Sequence, residues 1–499
     1  MGGLKEQLAR PYAWWVHRKN QKWKSRAAEV QQEWLLKLCS TAAATRFGKD
    51  HHLKDVRNPA DFAQAVPLRD YEKLRAYVDP MVDGEPDVLW PGRPLYYAKT
   101  SGTTSGAKYI PISRDSMPFH ISAAKDALLE YAYHSNNYDF IGGKLIFLQG
   151  SPEMSPTLDV QTGRLSGIVA HYVPSYLQSN RLPSWETNCI DDWEQKLRAI
   201  VQETRSQDMR LISGIPPWVQ MYFEYLLEDT GMPDIKSLFP RFSLFVTGGV
   251  NYQPYRASID RLVGKKIDML ETYPASEGFI AYDDSSGEEG LLLLADQGIF
   301  YEFIPLEEVH SENPTRLPLS DVQTGVRYAI AMSTNAGLWS YLIGDTVEFV
   351  GTSPYRLKVT GRVAHYISAF GEHVIGSEVE AAMKEACAQS SAVPVEFTVA
   401  PQVAPESGPP HHEWFVAFEQ TPDDLLAFGQ HLDRALSDKN SYYADLIEGK
   451  VLGPCVIREV PRDAFAAYMK SIGKLGGQNK LPRLSNDRKI ADALSKMLS

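Results

Sequence analysis

Residues 244–278, LFVTGGVNYQPYRASIDRLVGKKIDMLETYPASEG, decide the fold class. Two short apolar runs, LFVTGG (244–249) and IDML (267–270), flank a longer stretch of helical character. The same alternation recurs on both sides, with LIFLQ at 145–149, LIS at 211–213 and LLLLAD at 291–296. Short continuous apolar runs between helical stretches read as strands of largely buried sheets, so an α/β body is expected. The longest aliphatic run, Leu291 to Leu294, is far short of the roughly 18 to 20 residues of a membrane span. It reads as a buried strand.

On the N-terminal side, residues 21–47 carry Trp34, Leu35, Leu38 and Ala42 at helical spacing, with Gly48 as the expected stop. On the other side, Tyr328 to Val350 adds strand-like pieces, and Gly351, Pro354 and Gly361 then punctuate the chain. The expected division is an N-terminal domain over 1–355 and a smaller one over 356–499. The latter reads as helix (377–388), strand (395–400), Pro-rich turn, strand (414–419), helix (423–436), strand (451–460) and helix (464–472), a compact α+β unit.

Composition narrows the function classes. The chain has 499 residues, 43% hydrophobic and 23% charged, an ordinary globular balance that excludes wholesale disorder and coiled coil. Its formal charge of −11 repels nucleic acid and anionic membrane, and no strong basic patch offsets it. Neither is expected as a partner. Cys39, Cys189, Cys387 and Cys455 show no CxxC spacing, as reduced thiols of a cytoplasmic protein would. No signal peptide or anchor is read at the N-terminus.

The chemistry begins at Thr100-Ser-Gly-Thr-Thr-Ser-Gly-Ala-Lys108. Gly102 and Gly106 remove Cβ obstruction, Ser101, Thr103, Thr104 and Ser105 add donors, and Lys108 adds charge, so the loop can close on phosphate. It joins strand-like Leu95–Ala98 to strand-like Lys108–Ile112, unlike a Walker loop, which opens a helix. Composition alone leaves open a Ser/Gly hairpin loop. Ser105 and Lys108 also make S-x-x-K, but no S-D-N or G-x-S-x-G supports a serine acyl-enzyme.

A second cluster, TYPASEG (272–278), ends an apolar strand with Glu277, a carboxylate suited to Mg²⁺ if it faces the phosphate loop, or else a solvated loop acid. The third, Tyr341-Leu-Ile-Gly344-Asp345, ends in an acid suited to ribose hydroxyls. His51-His52 and His411-His412 lack metal-site spacing and read as surface residues.

In order and together, these segments resemble the Gretchen Hagen-type, auxin-responsive acyl-acid amido synthetases of the acyl-adenylating superfamily. The likeness rests on TRFG (45–48), DF (61–62), VPL (66–68), DY (70–71), TSGTTSGAKYIP (100–111), VTGG (246–249), TYPASEG and YLIGD (341–345). It continues through Gly361-Arg362, Phe370-Gly371-Glu372 and GQNKLPR (477–483). It differs at Ile343, where many relatives have Arg, and at Ala364, where the superfamily often has an acid.

The resemblance implies a large N-terminal nucleotide- and acyl-binding domain with several sheets and a swivelling α+β C-terminal domain. It implies ATP and Mg²⁺ as cofactors and a carboxylic acid and an amino acid as substrates; a monomer is expected. The acid is adenylated and then passed to the amine. Lys480 would be the catalytic lysine, acting with Glu277 and Lys108. Tyr273 would stack on adenine with Gly248 and Gly249 letting the backbone approach the base, Thr272 and Ser276 would also bind the nucleotide, Asp345 would hold the ribose hydroxyls and Arg362 would reach ribose or α-phosphate. Glu372 and His373 would hold and deprotonate the amine; for Tyr273 and His373, plain core and loop roles remain alternatives. The rival readings are an acyl-CoA ligase and a silent nucleotide-binding relative. The acyl pocket, between 113 and 240, stays unassigned.

Overall fold

The computed structural model describes the whole chain except residues 1–3, 102–106, 158, 174–177, 191, 250, 251, 253, 254, 310, 364, 365, 368–373, 404, 406, 449, 451, 476–480, 486, 487 and 499. Two helices, α1 (Leu4–Lys24) and α2 (Ala27–Ala42), occupy the region where one was expected. They part at Arg26, whose φ of −129° and ψ of 25° leave the helical region. On α2 the buried side chains Val30, Leu35, Leu38 and Ala42 recur at helical spacing, as the sequence pattern requires.

Gly48 is not the helix stop. It lies inside α3 (Arg46–Asp50), where its N–H donates to the capping Thr45 hydroxyl at 3.0 Å. A Cβ on Gly48 would stand 2.0 Å from the Ala42 carbonyl oxygen, so the glycine is there for close approach. Asn58 and Asp70 cap α4 (Pro59–Ala65) and α5 (Tyr71–Val82) in the same way, each accepting an N–H at 2.9 Å.

The strands β1 (Tyr96–Ser101) and β2 (Ala107–Ile112) form an antiparallel hairpin ahead of α6 (Met117–Ser135) and β3 (Lys144–Phe147). With β4 (Ser155–Thr157) and β5 (Val160–Gly163) the hairpin makes a four-stranded sheet, β2-β1-β5-β4. Parallel pairing runs from β6 (Arg181–Leu182) through β3, β7 (Met209–Ser213) and β8 (Leu244–Gly248) to β9 (Asp268–Ala275). This is the segment whose apolar runs are short and continuous.

The strands β10 (Gly278–Tyr282), β11 (Leu291–Leu293), β12 (Ile299–Pro305), β13 (Arg327–Thr334), β14 (Tyr341–Thr352) and β15 (Tyr355–Arg362) extend it to eleven strands. Phe279 and Ile280 of β10, Leu291–Leu293 of β11, Tyr301 and Phe303 of β12 and Ile330 and Met332 of β13 join Ala13, Val16 and Trp23 of α1 and Ala123 and Ala127 of α6 in one buried cluster.

The chain forms two compact units: Met1–Tyr252 with Arg256–Ile343 and Val347–Lys358, and Gln253–Tyr255 with Gly344–Thr346 and Val359–Ser499. The second contains a short ribbon, β16 (Tyr366–Ile367) and β17 (Val374–Ile375), and a three-stranded sheet of β18 (Val393–Gln402), β19 (His411–Gln420) and β20 (Val456–Val460). Helices Gly376–Ala388, Leu425–Ser437 and Ala464–Ser471 stand where expected; Ser441–Glu448 and Lys489–Ser495 are additional.

Two histidines depart from the surface reading. On β19, which is buried on both faces from His412 to Phe418, His412 is fully buried and tilted against Tyr443 with ring centroids 5.1 Å apart. His51 is half-buried between the Ala65 carbonyl and Arg69, each at 2.9 Å from a ring nitrogen. All four cysteines are free thiols, and among the described residues no helix is long and apolar enough to cross a membrane.

Candidate active site

Parallel strands present their carboxyl ends to one edge of the sheet, where ligands of open α/β folds bind. Here β8 ends at Gly248 and β9 at Ala275, and residues 276–277 form a two-residue turn into β10, with Ala275 paired to Gly278. Gly248, Gly249, Thr272, Tyr273, Ser276 and Glu277 are thereby carried on two adjacent strands and their exits. Glu277 and Ser276 are half-buried at the turn.

The reasons for these residue types differ. Gly248 pairs with Thr272, and a Cβ on it would meet the Thr272 carbonyl oxygen at 2.4 Å and its Oγ1 at 2.6 Å, so strand packing alone demands glycine there. Gly249 follows with φ +76°, the left-handed region that favours glycine. Thr272 Oγ1 donates to the Thr247 carbonyl at 2.9 Å. Tyr273 is only 6% exposed and belongs to the buried cluster of the large sheet, which is the core placement held open above. Beside Gly248, Thr247 Oγ1 is buried and has no hydrogen-bond partner among the described residues.

The Ser/Gly loop joins β1 to β2 with Ser101 opposite Ala107 and Thr100 opposite Lys108. Its ends are therefore strands, as the sequence suggests. Lys108, which opens the strand-like run read from the sequence, is a residue of β2; it is half-buried, with its ammonium 5.7 Å from the Tyr71 ring centroid. Tyr71 in turn takes the Tyr109 N–H on its hydroxyl at 2.8 Å, which fixes this strand against α5. Gly102, Thr103, Thr104, Ser105 and Gly106 lie outside the described residues, as do Glu372, His373 and Lys480.

Within the second unit, Asp345 is half-buried on β14 beside Gly344, whose carbonyl accepts the Val363 N–H at 2.7 Å. That bond ties the Gly-Asp pair to the residue after Arg362, and Thr346 and Thr360 add a hydroxyl pair at 2.9 Å. Two expected nucleotide contacts, Asp345 and Arg362, thus sit on neighbouring strands.

Sequence reasoning passed over Arg164 and Arg181. Burial lowers the pKa of both guanidinium groups, and neither has an ion pair among the described residues. Arg164 reaches over Gly150, just past β3, and Arg181 on β6 donates to the Ala170 carbonyl at 3.1 Å. An arginine beside an apolar run reads in sequence like any solvated cation; only burial separates the two.

Comparison with known proteins shows the family and the fold. The GH3 family N-terminal domain matches residues 16–204, the GH3 family central domain 292–362, and the GH3 family C-terminal domain 377–489. A jasmonoyl–L-amino acid synthetase, JAR6 of Nicotiana attenuata, is 22% identical over 92% of this chain and 91% of its own. Among solved structures, the AtGH3.15 acyl acid amido synthetase in complex with 2,4-DB superposes with a TM-score of 0.80 at 16% identity, covering 97% of this chain and 95% of that one. A 2-hydroxyisobutyryl-CoA ligase in the postadenylation state gives 0.62 at 12% identity, covering 94% and 91%. These likenesses show a common acyl-adenylating fold. With three domain models matched in order over most of its length, the chain belongs to the GH3 family.

Proposed function

We propose that this chain is an ATP-dependent, AMP-forming acyl-acid amido synthetase, a ligase that forms a C–N bond between a carboxylic acid and an amino acid. The observation that carries the reading is the match to all three GH3 domains, whose relatives include named amido synthetases. A carboxylate is a poor electrophile because its charge repels an amine and oxide is a very poor leaving group. Its oxygen therefore attacks the α-phosphorus of ATP, the bond to the β-phosphate breaks, and pyrophosphate leaves with an acyl-adenylate formed. The amine then attacks the acyl carbon, loses a proton, and AMP departs.

Glu277 and the hydroxyls of residues 101–105 are hard oxygen donors, the set Mg²⁺ prefers, and the Thr247 hydroxyl, without a partner among the described residues, lies next to Gly248. Bound there, Mg²⁺ would neutralise triphosphate charge. The loop's N–H groups hold phosphate, Lys108 adds a cation, and Gly249 and Thr272 border the base. Tyr273 would take its edge, since little of its ring is exposed. Asp345 accepts from ribose hydroxyls, and Arg362 reaches ribose or α-phosphate. Lys480 supplies a cation at the carboxylate and α-phosphate during adenylation. At about 4 Å and an effective dielectric near 20 such a contact is worth about 4 kcal/mol before desolvation. Glu372 would hold the ammonium and His373 take its proton. The protein is proposed to act as a cytoplasmic monomer.

The test is acid-dependent pyrophosphate exchange over a panel of carboxylic acids, followed by product analysis with amino acids or coenzyme A. An amide with AMP is expected. Thioester as the main product would promote the acyl-CoA ligase, and no exchange with any acid would favour a silent relative.

A further inference from the structure

Helices α1 and α6 bring two imidazoles and a carboxylate together. We propose that His17, Glu130 and His134 form a transition-metal site of zinc type that clamps the N-terminal helix to α6. Glu130 and His134 are one turn apart on α6, on one face, and His17 faces them from α1. One donor atom from each lies within 4.8 Å of the others.

The two oxygens of Glu130, which is fully buried, have different surroundings. Oε1 accepts from Asn20 Nδ2 at 2.8 Å and lies 3.9 Å from the Lys24 ammonium. Oε2 points the other way, 2.9 Å from His17 Nδ1 and 3.6 Å from His134 Nε2. A tetrahedral ion about 2.1 Å from each donor needs donor separations of about 3.4 Å, so small side-chain shifts suffice. Lys24 has its closer partner in Asp284, at 2.9 Å, which leaves Oε2 to face an ion.

Supporting contacts hold the ligands. The His17 ring stacks on Tyr133 with centroids 4.0 Å apart and meets His134 edge-on at 5.1 Å. Its Nε2 lies 3.4 Å from the Gln21 amide. Without metal, His17 donates its Nδ1 proton to Glu130. With metal, the proton sits on Nε2, the Gln21 amide turns to present its oxygen, and the Nδ1 lone pair binds the ion; such partners fix the tautomer of ligating histidines. His17 and His134 side chains keep 14% and 25% exposure, enough for an ion to enter and for water to fill the fourth position. Two imidazoles with one carboxylate suit Zn²⁺, whereas Mg²⁺ and Ca²⁺ prefer all-oxygen sets.

The test uses chelator-stripped full-length protein titrated with Co²⁺ and with Zn²⁺. One equivalent of Co²⁺ should give the visible absorption of tetrahedral coordination, displaced by Zn²⁺. Micromolar Zn²⁺ should raise the thermal midpoint where equal Mg²⁺ does not. His134→Ala and His17→Ala should each lose the band and weaken Zn²⁺ binding by more than about a hundredfold, since even a ligand's hydrogen-bond partner is worth about ten- to a hundredfold. His134 lies on the open side, so His134→Gln keeps the His17–Glu130 bond and decides the matter if His17→Ala does not fold. No band and no Zn²⁺-dependent shift in the wild type, or a band that survives in the His134 variants, would overturn the proposal.

Discussion

Glu277 and Gly248 stand at the ends of adjacent strands, yet replacing them should fail in different ways. Glu277→Ala removes a half-buried carboxylate from a two-residue turn. Pyrophosphate exchange should drop by about a hundredfold or more, as when a preorganised electrostatic group is lost, with the thermal midpoint unchanged. Normal exchange in this variant would remove Glu277 from the metal assignment. Gly248→Ala instead drives a Cβ to 2.4 Å from the Thr272 carbonyl, a backbone atom that cannot swing away. It should cost about 1 to 3 kcal/mol of stability in denaturant unfolding, the range for overpacking. A fully stable variant would mean that β8 and β9 can separate without penalty.

At the scale of the element, α6 carries a titration unrelated to ligands. His120 lies on its buried face, 6% exposed, and burial lowers its pKa from 6.5 to about 4. The unfolded chain therefore takes up the proton first as pH falls. The contribution is intact above about pH 6.5 and is lost progressively toward about pH 4, a difference on the order of 3 kcal/mol. His120→Leu, of similar size and without a titrating group, should flatten urea midpoints across that window. An equally steep loss in the variant would assign the acid sensitivity elsewhere.

At the scale of the whole molecule, one buried charge network ties distant parts of the first unit together. Asp284, just past β10, receives Lys24 of α1 at 2.9 Å and Arg356 of β15 at 2.8 Å, and all three are buried. Burial alone would raise the Asp284 pKa, but Lys24 and Arg356 outweigh it and hold the carboxyl well below the usual range. Its contribution is present above the ordinary aspartate pKa and lost as pH falls below it. Arg356→Leu should destabilise by about 3 to 5 kcal/mol, the cost of breaking a buried pair from one side, read by chemical denaturation at neutral pH. The catalytic cycle offers a second test at this scale. Lys480→Ala should lose adenylation from ATP and acid while still converting chemically made acyl-adenylate to amide. Equal loss in both assays would assign Lys480 another role.

The sequence by itself determined the α/β class, the main strands and the GH3 likeness, because buried strands must be apolar runs and a phosphate loop must carry small and hydroxyl residues. TYPASEG and YLIGD could be read for the same reason: their chemistry is local. Tertiary structure decided what depends on neighbours far away in the chain. Gly48 looked like a helix stop and is a contact point for Ala42, and the close packing of Gly248 on Thr272 gives that glycine a second reason, which the sequence does not show. His412 looked exposed because a His-His pair has no periodicity to betray which ring faces inward. His17 and Glu130 are 113 residues apart in the chain and 2.9 Å apart in space, a proximity set by packing between helices, which spacing along one helix does not encode.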